Sequence, residues 1–394
     1  MTVKKNIIAY SRQEITNEDI FEVEKVLRSD FITQGPQIPK FEKAVSEYCN
    51  TSYAYAVNSA TSALHLACLA LNLGKGDILW TVPNTFVASA NCALHCGAEV
   101  DFVDIDPKTY NICIDALSDK LSRAEKFGKL PKIIIPVHYA GQPCNMPVIY
   151  KLSKRYGFKI IEDASHASGA SYNQIKVGSC VHSDITVFSF HAIKIITCAE
   201  GGMVLTNNRE VADKISILRS HGITSDKAKM KERPEDEIWN YQQIDLGFNY
   251  RMTDIQASLG LSQLKRIDKS IKLRHEIAHY YNTQLKNFLL VLPWQSPNVY
   301  SSYHLYPVRI DKKLTKISQK EIYNILENSG IAINLHYIPV HRHPFYENFG
   351  FKKGDFPESE RFHCEVLSLP MFPNLSRQQQ DFVINTLTAA IKNR

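Results

Sequence analysis

The chain has 394 residues, enough to bury a large core and to divide in two, since single cores seldom grow past about 250 to 300 residues. Forty-six Lys and Arg against 40 Asp and Glu leave a net charge of +6 with no long basic block, which argues against a nucleic-acid-binding stripe and suits, at most, an anionic small substrate. Nine cysteines scattered through apolar segments lack the CxxC spacing of a zinc site or a disulfide framework, and no apolar run approaches membrane-spanning length, so a soluble, cytoplasmic protein with reduced thiols is expected.

The N-terminal run Met1 to Tyr10 turns polar too early for a signal peptide. Thr16-Asn17-Glu18-Asp19 then supplies a cap residue and early acids, and Ile20, Val23, Val26 and Leu27 recur at helical spacing, so a helix is expected to stop near Ser29. Asp30 to Pro36 reads as a loop closed by a glycine-proline break. At Val57-Asn58-Ser59-Ala60-Thr61-Ser62, small hydroxyl residues precede an Ala/Leu-rich helix; exposed N–H groups at such a start favour a phosphate, although a plain Ser/Thr cap has the same signature. Thr81 to Asn91 reads as a strand end followed by a helix, with Phe86 near the turn, where an aromatic face could stack on a flat ring or simply join the core.

Apolar runs at Val100 to Asp104, Ile133 to Val137, Lys159 to Glu162, Ile185 to Phe190 and Met203 to Thr206 alternate with helical stretches such as Met146 to Tyr156, the pattern of a largely parallel sheet covered on both faces. No GxGxxG follows the first strand, which weighs against a dinucleotide enzyme. One strand ends in Glu162-Asp163-Ala164-Ser165-His166, where a carboxylate could pair with a protonated ring nitrogen or cap the next helix. The next ends in Ser189-Phe190-His191-Ala192-Ile193-Lys194, with Glu200-Gly201-Gly202 shortly after. A lysine delivered to the crevice at a strand end reads as an imine-forming amine, and Asp163 ending a neighbouring run strengthens that reading.

Beyond Thr206 a helical stretch through His221 gives way to an exposed, mobile excursion from Ser225 to Glu237. The run Leu246 to Ala257 enters a helix through Leu264, with Asn249 and Arg251 available to an anion. From about Ile267 the composition suggests a second domain: a helix through Leu285, a strand around His304 to Val308, a helix from Gln319 to Ser329 and a strand from Ile331 to His336. The closely spaced His336, His341 and His343 invite a metal reading, but no nearby carboxylate or cysteine completes a familiar zinc pattern, so a substrate-facing loop is preferred and no metal is expected.

Taken together, TQGP, NSATSALH, PNTFVASAN, EDASHA, SFHAIK with EGG, and GFNYRMTDIQA occur in an order that resembles the DegT/StrS-type sugar aminotransferases over nearly the whole chain. The resemblance implies an α/β enzyme of the aspartate-aminotransferase fold (fold type I), a pyridoxal-phosphate-dependent transferase with a large cofactor domain over residues 1–258 and a small α+β domain over 259–394. It implies pyridoxal 5'-phosphate held covalently by Lys194, with pyridoxamine phosphate as the aminated form. By the same resemblance, Asp163 pairs with the ring nitrogen, Phe86 stacks on the ring and His166 lies beside it. Ser59, Ala60, Thr61 and Ser189 cradle the phosphate, with Asn249 arriving from the second subunit of a homodimer. Tyr10, Asp30, Phe31, Ile32, Thr33, Asn334, Leu335, His336 and Tyr337 line the sugar-nucleotide side.

SFHAIKIITCAEGG and NLHYIPVH look most like the family's UDP-sugar 4-aminotransferases of pseudaminic acid biosynthesis, used in flagellin or surface glycosylation. Such enzymes move nitrogen from L-glutamate, leaving 2-oxoglutarate, to C4 of a UDP-linked 4-keto-6-deoxy-N-acetylhexosamine. Ala60, where many relatives have glycine, and Ile195, where Asn or Pro is common, depart from the pattern without removing a reactive group. Sugar 3-dehydratases of this fold carry histidine at the lysine position, so Lys194 favours transamination. The alternatives are a family member acting on another sugar or carbon, or a non-catalytic cofactor-binding regulator.

Overall fold

The computed structural model describes residues 7–392 apart from 233, 235, 238–240 and 312, so the start of the N-terminal run and two positions of the Ser225 to Glu237 excursion lie outside the described residues. The first helix, α1 (Asn17–Leu27), opens as its sequence dictates: Asp19 N–H donates to Thr16 Oγ1 (3.4 Å) and Thr16 N–H donates to Asp19 Oδ2 (2.9 Å). After α2 (Gln37–Cys49), strands and helices alternate through β1 (Tyr53–Val57), α3 (Ala60–Ala70), β2 (Ile78–Thr81), α4 (Ala88–His95), β3 (Glu99–Phe102), α5 (Ile114–Lys126), β4 (Ile133–Ile134) and α6 (Met146–Tyr156), and the strands β5 (Lys159–Asp163), β6 (Ile185–Ser189) and β7 (Gly202–Thr206) then follow without a helix between them before α7 (Arg209–Leu218).

The seven strands form one sheet in the order β1-β7-β6-β5-β4-β2-β3. Its neighbours from β6 to β3 are parallel, and β7 alone runs antiparallel to both of its partners, β1 and β6. Both faces are covered. Along β7, Val204 joins one apolar cluster while Met203 and Leu205 join the other; along β6, Val187 and Phe188 divide in the same way. This is why the strands read as continuous apolar runs rather than alternating ones. Strand β4 stops two residues in, short of the expected Val137, because Pro136 has no N–H to continue the ladder.

After α8 (Asp254–Leu264) and the 19-residue α9 (Ile267–Leu285), a second apolar cluster forms around the antiparallel pair β8 (Tyr306–Arg309) and β9 (Val366–Leu369), with α10 (Gln319–Asn328) and α11 (Arg377–Lys392) packed on it. The expected strand from Ile331 to His336 does not form. Ile331 bridges to Ile8 and Asn334 bridges to Ser368, so the segment changes partner within three residues and no ladder can propagate. Those two bridges bring the N-terminal segment and the Asn334 to Tyr337 run together; Met371 N–H donates to Tyr10 O (2.9 Å) beside them. In the charged excursion, the described residues are irregular apart from a short turn at Lys227–Lys229.

Candidate active site

The parallel strands β2, β5 and β6 all end at the same edge of the sheet, and the reversed β7 begins there. Side chains just past those ends converge on one recess of about 720 Å³, within the size range of small-molecule sites. Tyr10, Ser59, Ala60, Thr61, Phe86, Asp163, His166, Ser189, Lys194, Asn334, Leu335, His336 and Tyr337 all line it, so most of the residues singled out in the sequence share one chamber.

Lys194 sits five residues past β6, in a tight loop held by Phe190, whose N–H donates to Gly201 O (2.9 Å), whose O accepts from Cys198 N–H (2.9 Å), and whose ring packs on Phe41 at 5.2 Å. The lysine is half-buried by surface area, but the chamber it faces is recessed, so its ammonium loses hydration. That desolvation brings its pKa down to about 8, with the negative charge of Asp163 acting in the opposite sense. Asp163, buried at the end of β5, is held on both oxygens: Ser89 Oγ donates to Oδ2 (2.6 Å) and Ser165 N–H donates to Oδ1 (3.1 Å). Since Ser89 spends its proton on the carboxylate, its 2.8 Å contact with Thr85 Oγ1 requires Thr85 to donate, giving a relay from Thr85 through Ser89 to Asp163.

His166 accepts from Ala140 N–H at Nδ1 (3.3 Å), so a neutral ring carries its proton on Nε2 and donates it to Tyr337 Oη (3.0 Å). Burial, reinforced by the charge of Lys194, holds His166 neutral, well below the usual histidine range. The Tyr337 hydroxyl, receiving from His166, has its own proton left to offer; burial, with Asp163 adding to it, keeps that phenol protonated. His304 lies against His166 with ring centroids 4.4 Å apart, and its buried Nδ1 has no hydrogen-bond partner among the described residues. His336 is pushed down to about 3 by burial and then by Lys194, and its Nδ1 meets Ser368 Oγ at 2.9 Å.

The other wall is the start of α3. Ser62 N–H donates to Ser59 Oγ (3.1 Å), and Ser62 Oγ donates to Asn58 Oδ1 (2.6 Å), so the 3.0 Å contact between the two hydroxyls has Ser59 as donor. Ser59 is thereby committed to capping, which leaves the Ala60 and Thr61 N–H groups and Thr61 Oγ1 as the donors the helix start presents to an anion. Phe86, 58% exposed at the mouth, offers a bare aromatic face. An aldehyde-bearing cofactor with an aromatic ring and a phosphate fits this chamber: a partly dehydrated amine, a fixed carboxylate, an aromatic face and a helix start with unused donors all border it.

Not every expected residue borders the recess. Asp30, Phe31, Ile32 and Thr33 lie on exposed surface, where Ile32 O accepts from Asp254 N–H (3.0 Å) and Thr33 bridges to Thr253. Asn249 is also exposed and outside the chamber of its own chain, although its backbone O accepts from Asn58 Nδ2 (3.4 Å) directly behind the α3 start. Of the three clustered histidines, His336 and His343 line the chamber while His341 turns away to Glu360 Oε1 (2.9 Å), so they do not converge on one point. Sequence reading passed over Thr85, Ser89 and His304. Thr85 and Ser89 had a signal, two hydroxyls one helical turn apart beside Phe86; His304 had none, because only the packing of the second cluster against the sheet brings it to His166.

A sequence profile of the DegT/DnrJ/EryC1/StrS aminotransferase family matches residues 13–388. Among curated relatives, the spore coat polysaccharide biosynthesis protein SpsC of Bacillus subtilis is 37% identical over 100% of this chain and 99% of its own length. The UDP-4-amino-4,6-dideoxy-N-acetyl-beta-L-altrosamine transaminase of Campylobacter jejuni is 36% identical over 98% of each chain. Among solved structures, the sugar-aminotransferase candidate Spr1654 of Streptococcus pneumoniae, in its PMP and PLP forms, superposes with a TM-score of 0.87 at 30% identity, covering 98% of this chain and 98 to 99% of its own.

Proposed function

The chain belongs to the DegT/DnrJ/EryC1/StrS aminotransferase family and is a pyridoxal-phosphate-dependent sugar transaminase; from that premise we propose that it aminates C4 of a UDP-linked 4-keto-6-deoxy-N-acetylhexosamine with L-glutamate, in the cytoplasm, as a homodimer. The observation that carries the chemistry is the meeting, in one recess, of a lysine amine softened to about pKa 8, a doubly anchored carboxylate and the open start of α3. The choice of sugar rests on the Campylobacter relative and on the SFHAIKIITCAEGG and NLHYIPVH runs. SpsC, at nearly equal identity, keeps a second reading alive, in which the same chemistry serves a different nucleotide sugar.

Pyridoxal phosphate, when bound, supplies an aldehyde for the lysine and an electron-poor ring that accepts the electrons of the bond broken at the donor's α-carbon. Lys194 is both the anchoring nucleophile and, once displaced by the donor amine, the nearest base to move that α-proton; such general-base help is typically worth about 10² to 10⁴ in rate. Asp163, fixed by Ser89 and Ser165, would hold a proton at the ring nitrogen. Ala60, Thr61 and Ser189 would bind the phosphate, and Phe86 would stack on the ring and exclude water. Tyr337, with its proton directed away from His166, would hold a hydrogen bond to the substrate oxygen at the amination point, alongside Tyr10 and His336 on the sugar side.

The test is an end-point assay with L-glutamate and a panel of UDP-4-keto-6-deoxy-N-acetylhexosamines of different configuration, read by product mass and NMR. The proposal expects 2-oxoglutarate and a 4-amino sugar of the L-altro configuration as the preferred product. A clear preference for another configuration would select the second reading, and no turnover of glutamate at all would remove both.

A further inference from the structure

Lys194 borders two spaces. One is the chamber; the other is a cavity of about 20 Å³ behind its loop, walled by the N-terminal segment at Arg12 and Glu14, by the loop from Lys194 to Thr197, and by α9 at Ser270 and Arg274. That volume holds one guest of about the size of a water molecule. Arg274 is 1% exposed, yet it forms no ion pair among the described residues. Burial brings its pKa down to about 10, so it stays charged at neutral pH. Its three hydrogen bonds all leave from Nη1, to Tyr303 O (3.1 Å), His304 O (3.4 Å) and Met371 O (3.1 Å), and its buried Nε has no partner among the described residues. The Nε–Nη2 edge, the fork with which a guanidinium holds an anion, is therefore the part left to face the cavity. Charge around it is one-sided. Arg12, Lys194 and Arg266 join Arg274 on the walls; Arg266 is already neutralised by Asp19, which it meets on both carboxylate oxygens, while Glu14 pairs with none of the four among the described residues. On the loop side, the buried N–H groups of Ile195, Ile196 and Thr197 donate to no group among the described residues.

We propose that this cavity binds one monatomic anion, chloride in solution, between the Nε–Nη2 edge of Arg274 and the N–H groups of Ile195 to Thr197. Consecutive free N–H groups make a concavity suited to negative charge, and a buried cation without a counter-charge is costly. A guest that accepts from both walls and is itself negative removes both penalties, whereas a water accepts at most two hydrogen bonds and leaves the charge unbalanced. The volume of about 20 Å³ leaves no room for a tetrahedral oxyanion or a carboxylate, which selects a halide. The cavity shares only Lys194 with the chamber, so a cofactor in the chamber does not compete for it. Bound there, the anion fastens the loop that carries Lys194 to α9, and so steadies the segment that presents the amine.

Crystals of the holoenzyme grown in sodium bromide and measured at the bromine absorption edge should show an anomalous peak between Arg274 Nε and the Ile195 to Thr197 amides. In solution, replacing sodium gluconate by sodium chloride at constant ionic strength, which holds screening fixed, should raise the Tm of the holoenzyme saturably, by about 2 °C or more. Arg274→Lys keeps the charge and loses the fork, so it should lose both the peak and the saturable rise; should it fail to fold, the wild-type map and titration decide. The assignment is overturned by a map with only water at that position, by a peak without any Tm response, which marks an adventitious ion only, or by an Arg274→Lys variant that keeps both signals.

Discussion

Lys194 shows how a single ionisable group is tuned by its place. With burial bringing it to about 8, about one amine in ten is neutral at pH 7, against about one in 3,000 for a lysine at its ordinary 10.5. Covalent uptake of pyridoxal phosphate by the apoprotein requires the neutral amine, so its rate should rise about tenfold from pH 6 to 7 and level off above about pH 8.5. Stopped-flow absorbance measures this directly, and a rate that keeps its slope up to pH 10 would contradict the assignment. Asp163 depends in turn on the hydroxyl of Ser89. Ser89→Ala removes a 2.6 Å hydrogen bond to a buried carboxylate, a loss of about 1.5 to 3 kcal/mol in anchoring. Turnover should fall about tenfold or more while circular dichroism stays unchanged. A variant with wild-type kcat would show that Ser165 and the backbone suffice.

At the scale of elements, the two glycines of the EGG run look interchangeable on paper and are not. A Cβ on Gly201 would press mainly on the flexible end of Met252, at 2.7 Å, with Cys198 Cβ at 3.2 Å and Phe190 Cβ at 3.4 Å, whereas a Cβ on Gly202 would press on backbone, Ser59 C and O at 2.6 Å and Ala60 N at 2.7 Å. Gly202 pairs with Val57 at the end of β1, so the antiparallel pairing drives β7 directly under the start of α3. Gly202→Ala should therefore displace the phosphate seat, destabilise the fold by about 1 to 3 kcal/mol and weaken cofactor binding about tenfold or more. Gly201→Ala should be milder on both counts. Cofactor titration followed by fluorescence tests the pair, and equal affinities would mean the helix start can yield. The α1 cap was legible because a capping box is written within four consecutive residues, 16 to 19; the failed strand after Ile331 was not, because apolar alternation cannot say that successive residues will find different partners.

For the molecule as a whole, the unplaced residues share one side. Phe31, Ile32 and Leu246 are exposed apolar side chains, Leu246 at 77%, on the segments around Thr253 and Asn249 that flank the rear of the α3 start. An apolar surface of this kind suits an isologous contact in which Asn249 of the partner subunit reaches the recess. Complementation provides the check: Lys194→Ala should be inactive and Asn249→Ala should bind cofactor weakly, yet refolding an equal mixture should recover about a quarter of wild-type sites, one intact site in each heterodimer. No recovery in a mixture shown to contain heterodimers would place Asn249 in its own chain's site.

The sequence by itself determined the family, the cofactor class and the layered scaffold. A lysine and an aspartate at the ends of apolar runs, a hydroxyl-rich helix start and alternating strand and helix patterns are local signals, each written within a few consecutive residues. Only the tertiary structure decided that β7 runs backwards, that Thr85 and Ser89 hold the carboxylate, and that His304 and Tyr337 meet His166 from more than a hundred residues away. Those outcomes depend on which surfaces compete for the same hydrogen bonds and the same volume, and that competition exists only once distant segments have been brought into contact.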